Sequence, residues 1–177
     1  AEAFRVDAEI RLPDNGLDFK VLRVGDHAAQ YLFIGNVGKY DIRYSFQAAA
    51  RSEVLFAEFL TIEPKEGVLA PGRDQMITIT ARPQREINID HNTDLSMNLV
   101  EGASNDVVRA LALPLTMRAV FSQFRVLPLH GINFGAVEVD LPSVKQLKIC
   151  NDGVFPFNYR LFAADTSREF FAGRPDR

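Results

Sequence analysis

The stretch FGAVEVDLPSVKQLKICNDGVFPFNYRLF, residues 134–162, decides how the chain is read, because it is written twice. Moved back by 115 residues it lies without a gap on residues 19–47, FKVLRVGDHAAQYLFIGNVGKYDIRYSFQ. In that register Phe19 meets Phe134, Val24 meets Val139, Leu32 meets Leu147 and Ile34 meets Ile149. Asn36 then meets Asn151, Gly38 meets Gly153 and Tyr44 meets Tyr159. A repeat of this length points to a repeated structural unit.

Both copies share a layout: a short apolar strand, a turn, an alternating strand ending in Asn-x-Gly, then a second alternating strand. Tyr40, Ile42, Tyr44 and Phe46 alternate with Asp41, Arg43, Ser45 and Gln47. In the second copy Phe155, Phe157, Tyr159 and Leu161 alternate with Pro156, Asn158, Arg160 and Phe162. Period two with one apolar face means a half-buried β-strand. The expected register buries Leu32, Ile34, Ile42, Tyr44 and Phe46 together, with Leu147, Ile149, Phe157, Tyr159 and Leu161 as their counterparts. A slip of one residue would turn every one of them outward.

The 177 residues are 47% apolar and 24% charged with both signs mixed, the composition of a packed globular chain. Net charge is −3, from 13 basic against 17 acidic residues up to position 121 and 7 against 6 beyond it. Neither part is a polycation, which argues against nucleic acid and against electrostatic docking on acidic lipid. No apolar run approaches the ~20 residues of a membrane-spanning helix. The one cysteine, Cys150, has no partner for an internal disulfide. With no signal peptide evident, it suggests a reducing compartment, the cytoplasm. Cys150 occupies the place of Gly35 in the first copy and reads as a small strand residue.

Along the chain, residues 4–12 alternate as an opening strand, and Pro13-Asp14-Asn15-Gly16 reads as a turn. Strands are expected over 19–24, 30–36 and 40–47, and residues 48–59 suit either a helical turn or a crossing strand. Leu95, Met97 and Leu99 mark a strand, Gly102 to Asp106 a hairpin loop, and Leu111, Leu113, Leu115 and Met117 a further strand. Pro114, inside that last strand, removes a ladder donor and implies an edge or a bulge.

Between these lies Ile62-Glu63-Pro64, then Gly67-Val68-Leu69-Ala70-Pro71-Gly72, then Ile77, Ile79 and Ala81 alternating up to Pro83. This I-x-P-x-x-G-x-L-x-P-G-x4-I-x-I-x-A-x-P pattern resembles the ASH domain of abnormal-spindle and hydin-like repeats, a relative of the major sperm protein domain. Gly131, Phe134, Gly135 and Val137 resemble the G-x-x-F-G-x-V opening of the next such repeat. The resemblance implies an all-β fold of tandem immunoglobulin-like sandwiches, one over residues 1–121 and the first half of another over 122–177. The I-x-P-x-x-G-x-L-x-P-G stretch has no second copy before Arg177, so the chain is expected to continue, or another chain to cover Phe155, Phe157, Tyr159 and Leu161.

Asp90, Asn92, Asp94 and Glu101 fall at the first, third, fifth and twelfth positions of a calcium loop. Leu95 stands where that loop needs glycine, and the residues after it alternate as a strand. The better reading is a solvated loop leading into a strand, with calcium bound no better than millimolar. His27, His91 and His130 have no second ligand at zinc spacing. Glu169-Phe170-Phe171 is similar to the acidic core of peptides that bind major-sperm-protein domains, but Ala172, Gly173 and Pro175 break that pattern. It reads as the apolar start of a strand or linker.

No catalytic, cofactor-binding or metal-binding residue is expected, and no enzyme motif is present. The resemblance implies a structural, non-enzymatic segment of a repeat protein of the motile-cilium axoneme, in the central pair apparatus. Its partners would be axonemal and central-apparatus proteins, tubulin among the candidates, and neighbouring repeats of the same chain; no nucleic acid, membrane or small-molecule substrate is expected. The alternative, a peptide-binding adaptor of the major-sperm-protein type, would use a basic peptide groove and usually a membrane anchor, and neither is seen.

Overall fold

Alternation governs the first unit, Ala1–Phe121. A computed structural model describes residues 8–13, 16–101 and 107–162 of the chain. In order, the first unit contains β1 (Ala8–Arg11), β2 (Leu17–Arg23), β3 (Ala28–Asn36), β4 (Ile42–Ala48), α1 (Ala50–Phe59), β5 (Leu60–Glu63) and β6 (Glu66–Leu69). There follow β7 (Asp74–Ala81), β8 (Ile87–Asn92), β9 (Leu95–Glu101), β10 (Val107–Ala112) and β11 (Leu115–Val120).

One sheet runs β1-β3-β7-β5 and a second runs β10-β9-β4-β6. A third, β2-β11-β8, continues the second: the Leu113 N–H donates to Leu95 O at 2.8 Å, so β8–β9 and β10–β11 form one long hairpin bent at its middle. Beside β11, β2 runs parallel and β8 antiparallel. The inner faces supply the core: Leu32, Ile34, Ile77 and Ile79 from one sheet, Met97 and Leu99 from the other, Leu115 and Met117 from the third. These side chains are almost fully buried, and each contributes about 2 kcal/mol of hydrophobic stabilisation.

The expected register holds in this unit. Leu32, Ile34, Ile42, Tyr44 and Phe46 are all buried, while Arg43 points outward. Tyr40 is an exception, 56% exposed and outside β4, because that strand begins only at Ile42.

Of the two readings open for residues 48–59, the helix is the one formed, over residues 50–59, and it buries Ser52, Phe56 and Phe59 on one face. Two further expectations are corrected. Residues 87–92 form β8, which the sequence did not show: it carries just two apolar residues and is interrupted by a bulge opposite Thr116, with His91 at φ +47°. Residues 111–117 are two strands, since Leu113 and Pro114 interrupt the ladder at the bend. The opening strand is β1, and the Gly16 N–H closes a turn on Pro13 O at 2.9 Å. The loop expected at Gly102 to Asp106 lies outside the described residues.

The second unit, Ser122–Arg177, has β12 (Phe124–Leu127) paired antiparallel with β13 (Lys148–Asn151). The Phe124 and Phe157 rings lie 5.4 Å apart. The buried row expected here is not formed: Leu147, Tyr159 and Leu161 are exposed, the last two by 64% and 73%. Residues 134–139 and 155–162 are not in strands. In the first unit β4 is held between β9 and β6. Among the described residues of the second unit no strand takes either place, so residues 155–162 have no ladder to join.

Candidate functional site

The residues of the calcium-loop pattern are not brought together. Asp90 is exposed on β8, and Asn92 ends that strand. Glu101 stands at the far end of β9, seven residues beyond Asp94, which in extended chain is ~23 Å. Asp94 itself turns inward and is buried, which corrects the expectation of a solvated loop.

Its carboxylate is the hub of a polar cluster. Arg51 donates Nε to Asp94 Oδ2 at 2.8 Å and Nη2 to Oδ1. Ser52 Oγ donates to Oδ2 at 2.5 Å and Asn92 Nδ2 to the same oxygen at 3.2 Å. The Asp94 N–H donates to Asn92 Oδ1 at 2.8 Å, and the Ala49 N–H to Asp94 O at 2.8 Å. Ala49, the N-cap residue of α1, offers no side-chain cap. Asp94 therefore puts a negative charge beside the first turn of the helix, where the backbone dipole favours it. The Arg51 hydrogen bond, followed by that of Ser52, holds its carboxyl well below the usual carboxylate range, and the same contact raises Arg51.

Both carboxylate oxygens of Asp94 are engaged within the cluster, and Arg51 reaches it from the surface. The cluster fastens α1 to the bend between β8 and β9. Sequence reading missed Arg51 and Ser52 because they lie 43 and 42 residues from Asp94. The Asn-x-Asp spacing was the one local sign.

His27, His91 and His130 are all exposed and lie in separate parts of the chain. Among the described residues no group of three His, Cys, Asp or Glu side chains could hold a metal ion. Cys150 is half-buried in β13 opposite Arg125. Glu169-Phe170-Phe171 lies outside the described residues.

What the first unit offers instead is surface. On the outer face of the β1-β3-β7-β5 sheet, Tyr31, Phe33 and Met76 are about half exposed, and Phe33 stands directly opposite Met76. A groove of about 420 Å³ beside α1 is lined by Phe46, Phe56, Leu60, Ile62 and Leu95, with Gln47 and Ala48 beside them. Its ionisable groups, Glu53 and Lys65, are both exposed. The apolar part of this lining suits packing against a neighbour. No helix among the described residues is long and apolar enough to cross a membrane.

Comparison with known proteins fits this picture. Residues 8–111, more than half of the chain, match the family described as HYDIN/CFA65/VesB-like, Ig-like domain. The chain is 28% identical over 171 residues, 92% of its length, to the hydrocephalus-inducing protein homolog of Homo sapiens. It is 28% identical over 170 residues to the hydrocephalus-inducing protein of Mus musculus. In both cases it spans 3% of the relative's length. Among solved structures, the ASH/PapD-like domain 7 of human CEP192 superposes with a TM-score of 0.54 at 15% identity. That match covers 70% of this chain and 94% of the CEP192 domain, a likeness of fold.

Proposed function

This chain belongs to the HYDIN/CFA65/VesB-like immunoglobulin-like family, and we propose that it serves as a non-enzymatic structural segment of a repeat protein in the axoneme of motile cilia. The observation that carries this reading is the identity to hydrocephalus-inducing protein, which covers 92% of the chain and so extends beyond the family match to take in the second unit. The fold supports it: apolar residues are spent on an internal core, and sheet faces and edges are left for neighbours. The best-organised polar cluster, around Asp94, is consumed in holding α1. In this reading the partners are other proteins of the central pair apparatus, tubulin and adjacent repeats, and the chain works in the cytoskeleton of the cilium.

Proximity labelling from this segment within its full-length protein in ciliated cells tests the proposal. Labelled central-apparatus proteins are the expected result. Labelling confined to the cell body, with axonemes unmarked, would contradict it.

A further inference from the structure

Asn36 and Asn151 make the same turn. Asn36 donates Nδ2 to Tyr40 O at 2.8 Å, and its Oδ1 accepts the Gly38 N–H at 3.0 Å. Asn151 donates Nδ2 to Phe155 O at 3.0 Å, and its Oδ1 accepts the Gly153 N–H at 3.0 Å. The ladder leading into the turn is duplicated as well: Ala8 stands opposite Asn36 in β1–β3, and Phe124 opposite Asn151 in β12–β13.

The two copies part at the next contact. Asn36 gives its second amide proton to Leu69 O at 2.7 Å. Its backbone N–H donates to Arg73 O at 3.0 Å, and its carbonyl accepts the Gly72 N–H at 2.8 Å. From Asp74 the same segment runs on as β7 along the edge of β3 opposite β1. One continuous piece of chain, residues 69–81, thus satisfies both the turn and that edge.

In the second unit the Asp152 N–H donates to Gln123 O at 3.0 Å. Antiparallel alternation then directs the N–H and C=O of Asn151 to the edge away from β12. Among the described residues no strand lies along that edge, and Asn151 is exposed where Asn36 is buried.

We propose that the second unit is a strand acceptor, whose Asn151 turn and outer β13 edge take an extended segment with the chemistry of residues 69–81. That chemistry is Leu-x-Pro-Gly followed by a strand of alternating apolar residues. The leucine carbonyl accepts the second amide proton of Asn151, as Leu69 O accepts that of Asn36. The glycine adopts the left-handed conformation that Gly72 has, φ +71°, and so turns its N–H onto the Asn151 carbonyl. The strand that follows pairs with β13 and lays its apolar side chains on the Ile149 face. This inference stands apart from the cellular location proposed above.

The test is nuclear magnetic resonance on the ¹⁵N-labelled 177-residue chain, titrated with a synthetic peptide of residues 67–83. Amide shifts confined to Lys148–Asn151 and the Asn151 side chain are expected. A peptide carrying Gly72→Pro, which removes the donor and the left-handed turn while leaving the protein untouched, should bind about 10-fold more weakly. Three results would overturn the proposal: no shift at β13 with millimolar peptide, equal binding by the Gly72→Pro or a scrambled peptide, or shifts confined to the first unit.

Discussion

Gly67 faces Tyr44 across the β4–β6 ladder so closely that a methyl group on Gly67 would come 2.6 Å from the Tyr44 hydroxyl and 2.8 Å from the ring. Tyr44 is buried, and its ring makes an edge contact with Phe46 at 6.3 Å. The glycine of the G-x-L-x-P-G stretch is there to make room for the tyrosine of the repeat. Gly67→Ala should therefore cost about 2 kcal/mol through overpacking, measured as a lower urea midpoint. Tyr44→Phe in the same background should recover part of the loss, because it removes the hydroxyl that meets the methyl.

Asn36 is fully buried and ties the turn to Leu69. Asn36→Ala removes the three side-chain hydrogen bonds to Tyr40 O, Leu69 O and the Gly38 N–H, an expected loss of about 3 kcal/mol. Asn151→Ala, at the exposed copy, should leave the unfolding midpoint of the first unit unchanged. Chemical denaturation of the two variants side by side separates them.

The Asp94 carboxylate is stabilised in its charged form by Arg51 and Ser52, so its folded-state pKa lies below the ordinary value. Its contribution is fully present above the unfolded-state pKa of about 4 and is lost as pH falls toward the folded value. The wild type should lose stability on acidification below about pH 4 more steeply than Asp94→Asn. Amide exchange within α1 should also quicken in that variant at neutral pH, since Arg51 and Ser52 lose the charge that anchors them.

Much of the first sandwich was legible because its strands alternate cleanly. Ile42, Tyr44 and Phe46, or Ile77 and Ile79, mark a face without help from the rest of the chain. Strand β8 was not legible: Ile87 and Ile89 alone carry its pattern before the bulge at His91. The helix was ambiguous because its one inward face is marked by Ser52, Phe56 and Phe59, and serine gives no apolar signal. The Asp94 cluster was hidden by sequence distance. In the second unit alternation over residues 155–162 foretold a strand that did not form, because period two expresses a preference and a strand also needs a neighbour.

Native-state hydrogen exchange on the whole chain tests the central claim most directly, that two copies of one turn and ladder differ because, among the described residues, the first alone has its partner strands. Amides of β3, β4, β7 and β9 should exchange slowly, through global unfolding of the first unit. Those of Lys148–Asn151 should exchange orders of magnitude faster, at a rate independent of protein concentration. Equal, concentration-independent protection of β3 and β13 would contradict the account and show that the second unit is stable without a further strand.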